Sequence, residues 1–150
     1  MTERRVRRIL HPSDFSRASS AAFARAVTMA KAGPAQLLLV HVLTPAVPIA
    51  GEGYISPKIY EDLEASARSY AQRRLAALQG KARKAGVKAI TLLLEGVAHE
   101  QIARAAKSKK ADLIVIGTHG RTGLAKFFLG SVASRVLAAA PCPVLTVRGR

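Results

Sequence analysis

Tryptophan is absent from this 150-residue chain, cysteine occurs once, and only 9 acidic residues stand against 24 lysines and arginines. A single cysteine, Cys142, excludes an intrachain disulfide, and no CxxC or Cys/His cluster suggests a metal site. Cys142 lies between Pro141 and Pro143 at the start of an apolar run, where a buried structural thiol is expected rather than a nucleophile. No apolar run approaches about 18 residues, so no transmembrane helix is expected. The opening MTERRVRRIL has the charge of a signal peptide but no apolar segment after it, and a cytoplasmic location is expected. The few aromatics, 3 Tyr and 4 Phe, form no stacking pattern of the kind single-stranded RNA modules use.

What the chain has in excess is positive charge, +15 net at pH 7. Such an excess fits an anionic partner, whether nucleotide, nucleic acid or membrane surface. Equally, many of the arginines read as solvated helix faces. Hydrophobic residues make up 49% of the chain, enough for one well-packed domain over residues 1–150.

Taken in order, apolar runs and helical periodicities alternate. Residues 5–11 read as a strand, 17–32 as a helix capped by Ser16 or Asp14, and 35–43 as a second strand. The proline- and glycine-containing stretch 44–57 reads as an irregular excursion. A long helix over about 58–85 carries Ile59, Leu63, Ala67, Tyr70, Leu75 and Leu78 on one face, with Gly86 as the residue just past its end. Strands at 87–94, 112–117 and 144–148 alternate with helices at about 98–109 and 131–140. The third helix opens HEQIA, but Ala103 stands where a zinc-binding HExxH needs its second histidine. Five strands alternating with four helices predict an α/β fold, a parallel sheet covered by helices on both faces.

In such sheets ligands sit outside the carboxyl ends of the strands. Three stretches occupy those ends: Pro12-Ser13-Asp14, Val42-Leu43, and the loop from Gly117. That loop follows Leu113-Ile114-Val115-Ile116, a run suited to a strand buried on both faces. Gly117, Gly120 and Gly123 recur at three-residue steps, and Gly130-Ser131 opens the last helix. Strand, glycine-rich loop and helix start together suit an anion, most plainly phosphate. The loop matches neither the P-loop nor the G-x-G-x-x-G dinucleotide pattern, and glycine spacing alone is also ordinary turn chemistry. Asp14 is either a helix cap or an acceptor for a ribose hydroxyl. His41 reads as a packed strand residue. His119 reads as a loop histidine that donates to phosphate or acts as a general acid. Arg121 and Lys126 are phosphate partners or plain surface charges. Ser131 is expected to cap the last helix.

Gly117-Thr118-His119-Gly120, nine residues, then Gly130-Ser131 resembles the ATP-binding signature of the universal stress protein family, G-x-x-G-(x)9-G-[ST]. HPSDFS at 11–16, LLLVHVL at 37–43, ADLIVIGTHGRTG at 111–123 and APCPVLTVR at 140–148 are similar to its other motifs. The resemblance implies a single-domain, three-layer adenine-nucleotide α-hydrolase-like fold with strand order 3-2-1-4-5. It also implies ATP binding, with Mg²⁺, and a homodimer acting as a regulatory module in stress response. The site it implies comprises Pro12, Ser13, Asp14, Val42, Ile116, Gly117, His119, Gly120, Arg121, Gly130, Ser131 and Val132. Asp14 would hold the ribose, Val42 and Ile116 would line the adenine pocket, and the glycine loop with Ser131 and Val132 would surround the phosphates. The alternatives are a slow ATPase or nucleotidyl-handling enzyme on the same fold, or a basic protein that associates weakly and unspecifically with nucleic acid. Protein partners beyond the dimer are open. The strong basic charge departs from what is common in the family.

Overall fold

A computed structural model describes residues 4–45, 55–118 and 129–149. The elements run β1 (Arg8–Pro12), α1 (Arg17–Ala32), β2 (Gln36–Leu43), α2 (Pro57–Lys84), β3 (Ala89–Glu95), α3 (Ala98–Ser108), β4 (Leu113–Gly117), α4 (Ser131–Ala139) and β5 (Val144–Val147). The five strands form one sheet in the order β3-β2-β1-β4-β5, every pairing parallel. This is the architecture and strand order expected from the alternation and the resemblance.

Successive side chains of a strand point to opposite faces, which divides the core in two. Ile9, Leu37, Leu39, Leu113 and Val115 pack under α1 and α2, against Ala22, Ala26, Leu75 and Ala82. Leu10, Leu38, Val40, Ile114 and Ile116 pack on the other face, against Ile102, Ala106, Ala133 and Val136 of α3 and α4. Alanines on α1 let that helix lie close to the sheet.

Two boundaries moved for identifiable reasons. β1 begins at Arg8 rather than residue 5, since the Asp112 carboxylate accepts from the Arg7 and Arg8 amides at 2.8 and 3.0 Å. β3 begins at Ala89 rather than residue 87, since Gly86 and Val87 still donate to carbonyls of the last turn of α2. Gly86 has φ +85°, as a residue just past a helix end requires. The expected apolar face of α2 is only partly buried. Ala71, Leu75 and Ala82 are buried, whereas Ile59 and Leu63 are 51% and 55% exposed. Of the excursion expected at 44–57, residues 46–54 lie outside the described residues, and Pro57 already belongs to α2.

One buried histidine joins the centre of the sheet. β1 pairs with β4 only at Ile9↔Leu113 and Leu10↔Ile114. Pro12 has no N–H with which to continue that ladder. The His11 Nδ1–H instead donates to the Val115 carbonyl at 2.9 Å, from a fully buried ring. Among the described residues no group bonds its Nε2. Burial lowers the His11 pKa to about 4, against smaller upward effects from the Val115 bond and the Asp14 charge.

The unfolded chain therefore takes up a proton on His11 near pH 6.5, which the folded chain refuses until about pH 4. Stability from this group is complete above pH 6.5 and falls as pH drops through that window, by about 3 kcal/mol in all. Urea denaturation of the wild type and His11→Gln between pH 7 and 4 is expected to give a shallower pH dependence in the variant by that amount. Equal slopes would overturn the assignment.

Candidate functional site

Beyond Leu10 and Ile114 the strands β1 and β4 part, and the chain leaves β1 through Ser13-Asp14-Phe15-Ser16. The Ser13 amide donates to Val40 O at 2.8 Å, keeping the loop on β2. Its hydroxyl accepts from the Phe15 amide at 3.0 Å. Phe15 has φ +65°, a conformation rarely adopted by a bulky residue. That backbone sends its ring onto His41, stacked at 4.4 Å between centroids, with Tyr70 edge-on at 6.0 Å and the Arg74 guanidinium at 5.5 Å. The His41 Nδ1–H donates to Ser13 O at 2.7 Å. The aromatic ring is thus packed towards α2 while Asp14 lies against the crevice.

Asp14 is not the cap of α1. Ser16 is, its hydroxyl accepting from the Ser19 amide at 3.2 Å. The Asp14 Oδ1 accepts from the Ser16 amide at 2.9 Å and the Ser19 hydroxyl at 2.6 Å, which orients the carboxylate. Ser131 is likewise not a cap. Gly130 takes the extended cap conformation and its carbonyl accepts the Ser134 amide, so Ser131 is the first residue of α4. Among the described residues neither α3 nor α4 has a side-chain cap. Both helix starts therefore keep amides to offer to an anion.

Pro12, Ser13, Asp14, Val42, Ile116, Gly117, Gly130, Ser131 and Val132 all line one cavity of about 340 Å³. This is within the usual range for small-molecule sites. His119, Gly120, Arg121 and Lys126 lie outside the described residues. The cavity adds Ser19, Val40, His41, Ala98, Ile102, Thr118 and Ala133, which sequence reasoning missed. Ala98 had a usable signal: in a parallel sheet the helix after β3 also starts at the carboxyl pole. His41 had none, because its role depends on the direction of Phe15.

Gly117 belongs to the glycine loop expected to surround the phosphates. Its φ is not positive, and the constraint is packing. A Cβ there would lie 3.1 Å from Ala18 O and 3.2 Å from Ala18 C, in the first turn of α1. Chemically the cavity pairs apolar walls, from Val40, Val42, Ile102 and Ile116, with one carboxylate and two helix starts. Among the described residues no group of three or more His, Cys, Asp or Glu could hold a metal ion. Cys142 packs against the second core, and burial, with the Asp112 charge, raises its pKa and keeps it a thiol.

The sequence pattern of the Universal stress protein family matches residues 5–148. The universal stress protein MJ0531 of Methanocaldococcus jannaschii is 38% identical over 148 residues, covering 97% of this chain and 84% of that one. The solved UspA of Lactobacillus plantarum superposes with a TM-score of 0.84 at 27% identity, over 97% of this chain and all of its own. The universal stress protein of Archaeoglobus fulgidus in complex with dAMP has the same fold, with a TM-score of 0.65 at 23% identity, over 96% of this chain and 99% of its own.

Two glycine substitutions separate packing from backbone freedom. Gly117→Ala is expected to cost about 1–3 kcal/mol, because the atoms it meets are backbone. Gly80→Ala, inside α2 with nothing within 4 Å of the added Cβ, is expected to stabilise by about 0.5–1 kcal/mol. Urea midpoints of the two variants against wild type check this, and a stabilised Gly117→Ala would contradict the packing reading.

Proposed function

This chain belongs to the universal stress protein family, and from that premise we propose that the carboxyl-pole cavity binds an adenine nucleotide, ATP above all, and that the protein is a dimeric regulatory module rather than an enzyme. The observation that carries the reading is that Asp14 and the starts of α3 and α4 line one cavity. A nucleotide has the matching polarity. Its ribose hydroxyls donate to a carboxylate, its base is a flat apolar slab for Val42 and Ile116, and its phosphates suit helix-start amides. Mg²⁺, where it accompanies ATP, would be held chiefly by the phosphates, as that ion prefers.

Turnover would need a placed base and charge stabilisation. Asp14 is the single carboxylate among the described lining residues, and it already orders the α1 start. His41 lines the cavity with its Nδ1 engaged by Ser13 O. This favours binding over hydrolysis, with a cytoplasmic regulator as the setting. The dimer reading rests on β5. It is the outer strand beyond β4, its four residues are partly buried, and an apolar edge is a pairing template that a two-fold copy can cover.

Calorimetric titration of ATP and inorganic tripolyphosphate into wild type and Asp14→Ala tests the site. The variant is expected to lose about 1–3 kcal/mol towards ATP and much less towards tripolyphosphate, which has no ribose for the carboxylate to hold. Equal losses would mean that Asp14 acts through the loop and that the ribose assignment is wrong. Light scattering tests the dimer: a full-length monomer at micromolar concentration would exclude pairing through β5.

A further inference from the structure

The fold sorts this chain's charge. In a parallel sheet every strand starts, and every helix ends, at the amino pole, opposite the cavity. Arg4, Arg5, Arg7 and Arg8 enter β1 there, and Lys88 precedes β3. Lys31, Lys81, Arg83, Lys84 and Lys107 occupy the last turns of α1, α2 and α3, with Lys109 and Lys110 just beyond. All twelve are exposed. They are half of the chain's 24 lysines and arginines. Among the described residues the one carboxylate at this pole is Asp112. It is occupied by the Arg7 and Arg8 amides and by the Arg4 guanidinium at 3.6 Å. The other described acids, Asp14, Glu61, Asp62, Glu64, Glu95 and Glu100, lie towards the opposite end.

Strand register makes these cations one surface. Arg8 pairs with Gln36, and Leu37 N donates to Lys88 O, so Arg8, Gln36 and Lys88 stand on three adjacent strands at one level. At about 4.8 Å per strand, Arg8 and Lys88 are about 10 Å apart. On the other flank the Arg8 guanidinium donates to Lys109 O at 3.0 Å, which brings the end of α3 to the same place. Helix dipoles account for cations in the last turns. They do not account for four arginines on one strand entry, or for Lys88.

We propose that this amino pole docks the phosphate backbone of duplex nucleic acid, without reading its sequence. A duplex carries one charge per about 1.7 Å of axis, a density that a cluster of cations meets by displacing counterions. Among the described residues no aromatic side chain lies with the pole's cations to make a platform for unstacked bases. Of the exposed large apolar side chains among the described residues, Ile55, Ile59, Leu63, Tyr70, Val97 and Val132 lie in other segments and only Leu137, in the last turn of α4, is at this pole, which is no apolar face for a bilayer. The docking face and the nucleotide cavity are at opposite ends of the sheet, about 25 Å apart along the eight residues of β2. The two can be occupied together.

The test compares two variants with equal charge loss. One replaces Arg5, Arg7, Lys88 and Lys109 by Gln; the other replaces Arg25, Arg73, Arg104 and Arg135 by Gln, all exposed and mid-helix. Fluorescence anisotropy follows a labelled 20-base-pair duplex of arbitrary sequence from about 50 to 200 mM salt. Wild type is expected to bind at the lower salt and to lose about a hundredfold or more at the higher. The pole variant is expected to bind at least tenfold more weakly at low salt. Its salt slope should be smaller by up to about 3.6, since each lost phosphate contact removes about 0.9. The mid-helix variant should stay within about threefold of wild type. Equal losses in the two variants would mean that net charge alone acts, and the pole would be no site. Absent duplex binding at low salt, tighter binding of a 20-nucleotide single strand, or uptake by phosphatidylserine vesicles in place of the duplex would each overturn the proposal.

Discussion

A proline in the central strand is the constraint on which the site depends. β1 is flanked by β2 and β4, and a strand with two neighbours normally gives every amide to a ladder. Pro12 cannot, so pairing with β4 stops after Leu10↔Ile114. On the other side β1 stays joined to β2 as far as Pro12↔Val40, and Ser13 extends that contact. The sheet therefore opens between β1 and β4 alone. The fully buried His11 bonds the Val115 carbonyl there and keeps the opening from running deeper into the core.

The loop that leaves β1 is held by two opposed sets of contacts. Asp14 takes the Ser16 amide and the Ser19 hydroxyl, which fastens the loop to α1. Phe15, in an unfavourable backbone conformation, is fastened to β2 and α2 through His41, Tyr70 and Arg74. A conformation of this kind costs of the order of 1–3 kcal/mol and persists only where its surroundings dictate it. Here the aromatic stack and the serine hydrogen bonds offset that cost. The consequence is functional: the loop's one carboxylate lies on the crevice side and its one aromatic ring does not.

Topology also links the two ends of the molecule electrically. Parallel strands with helical crossovers point every helix the same way. The N-termini of α1, α3 and α4 gather around the cavity, where partial positive charge favours an anion. The C-termini gather at the opposite pole, where partial negative charge favours cations. The chain supplies those cations and then exceeds what the helix ends require, with arginines on the entry to β1.

Much of this was legible in the sequence because it depends on neighbours along the chain. Runs such as Leu113–Ile116 and the recurrent alanines of α1 announced strands and helices, and their alternation left little choice but a parallel sheet. Of the implied site, nine residues, from Pro12 to Val132, meet in one cavity because strand ends and helix starts must share a pole. What the sequence could not announce involves residues far apart in it. Gly117 is small because Ala18 backbone passes above it, His11 donates to a carbonyl 104 residues away, and His41 stacks on Phe15, whose φ is positive. The roles of Asp14 and Ser131 turned on single backbone angles at the helix starts, where Ser16 and Gly130 became the caps instead. Periodicity and motif spacing are properties of the chain and determined the elements and their order. Contact, orientation and the division of charge between the poles arise only when strands lie side by side, and these the tertiary structure decided.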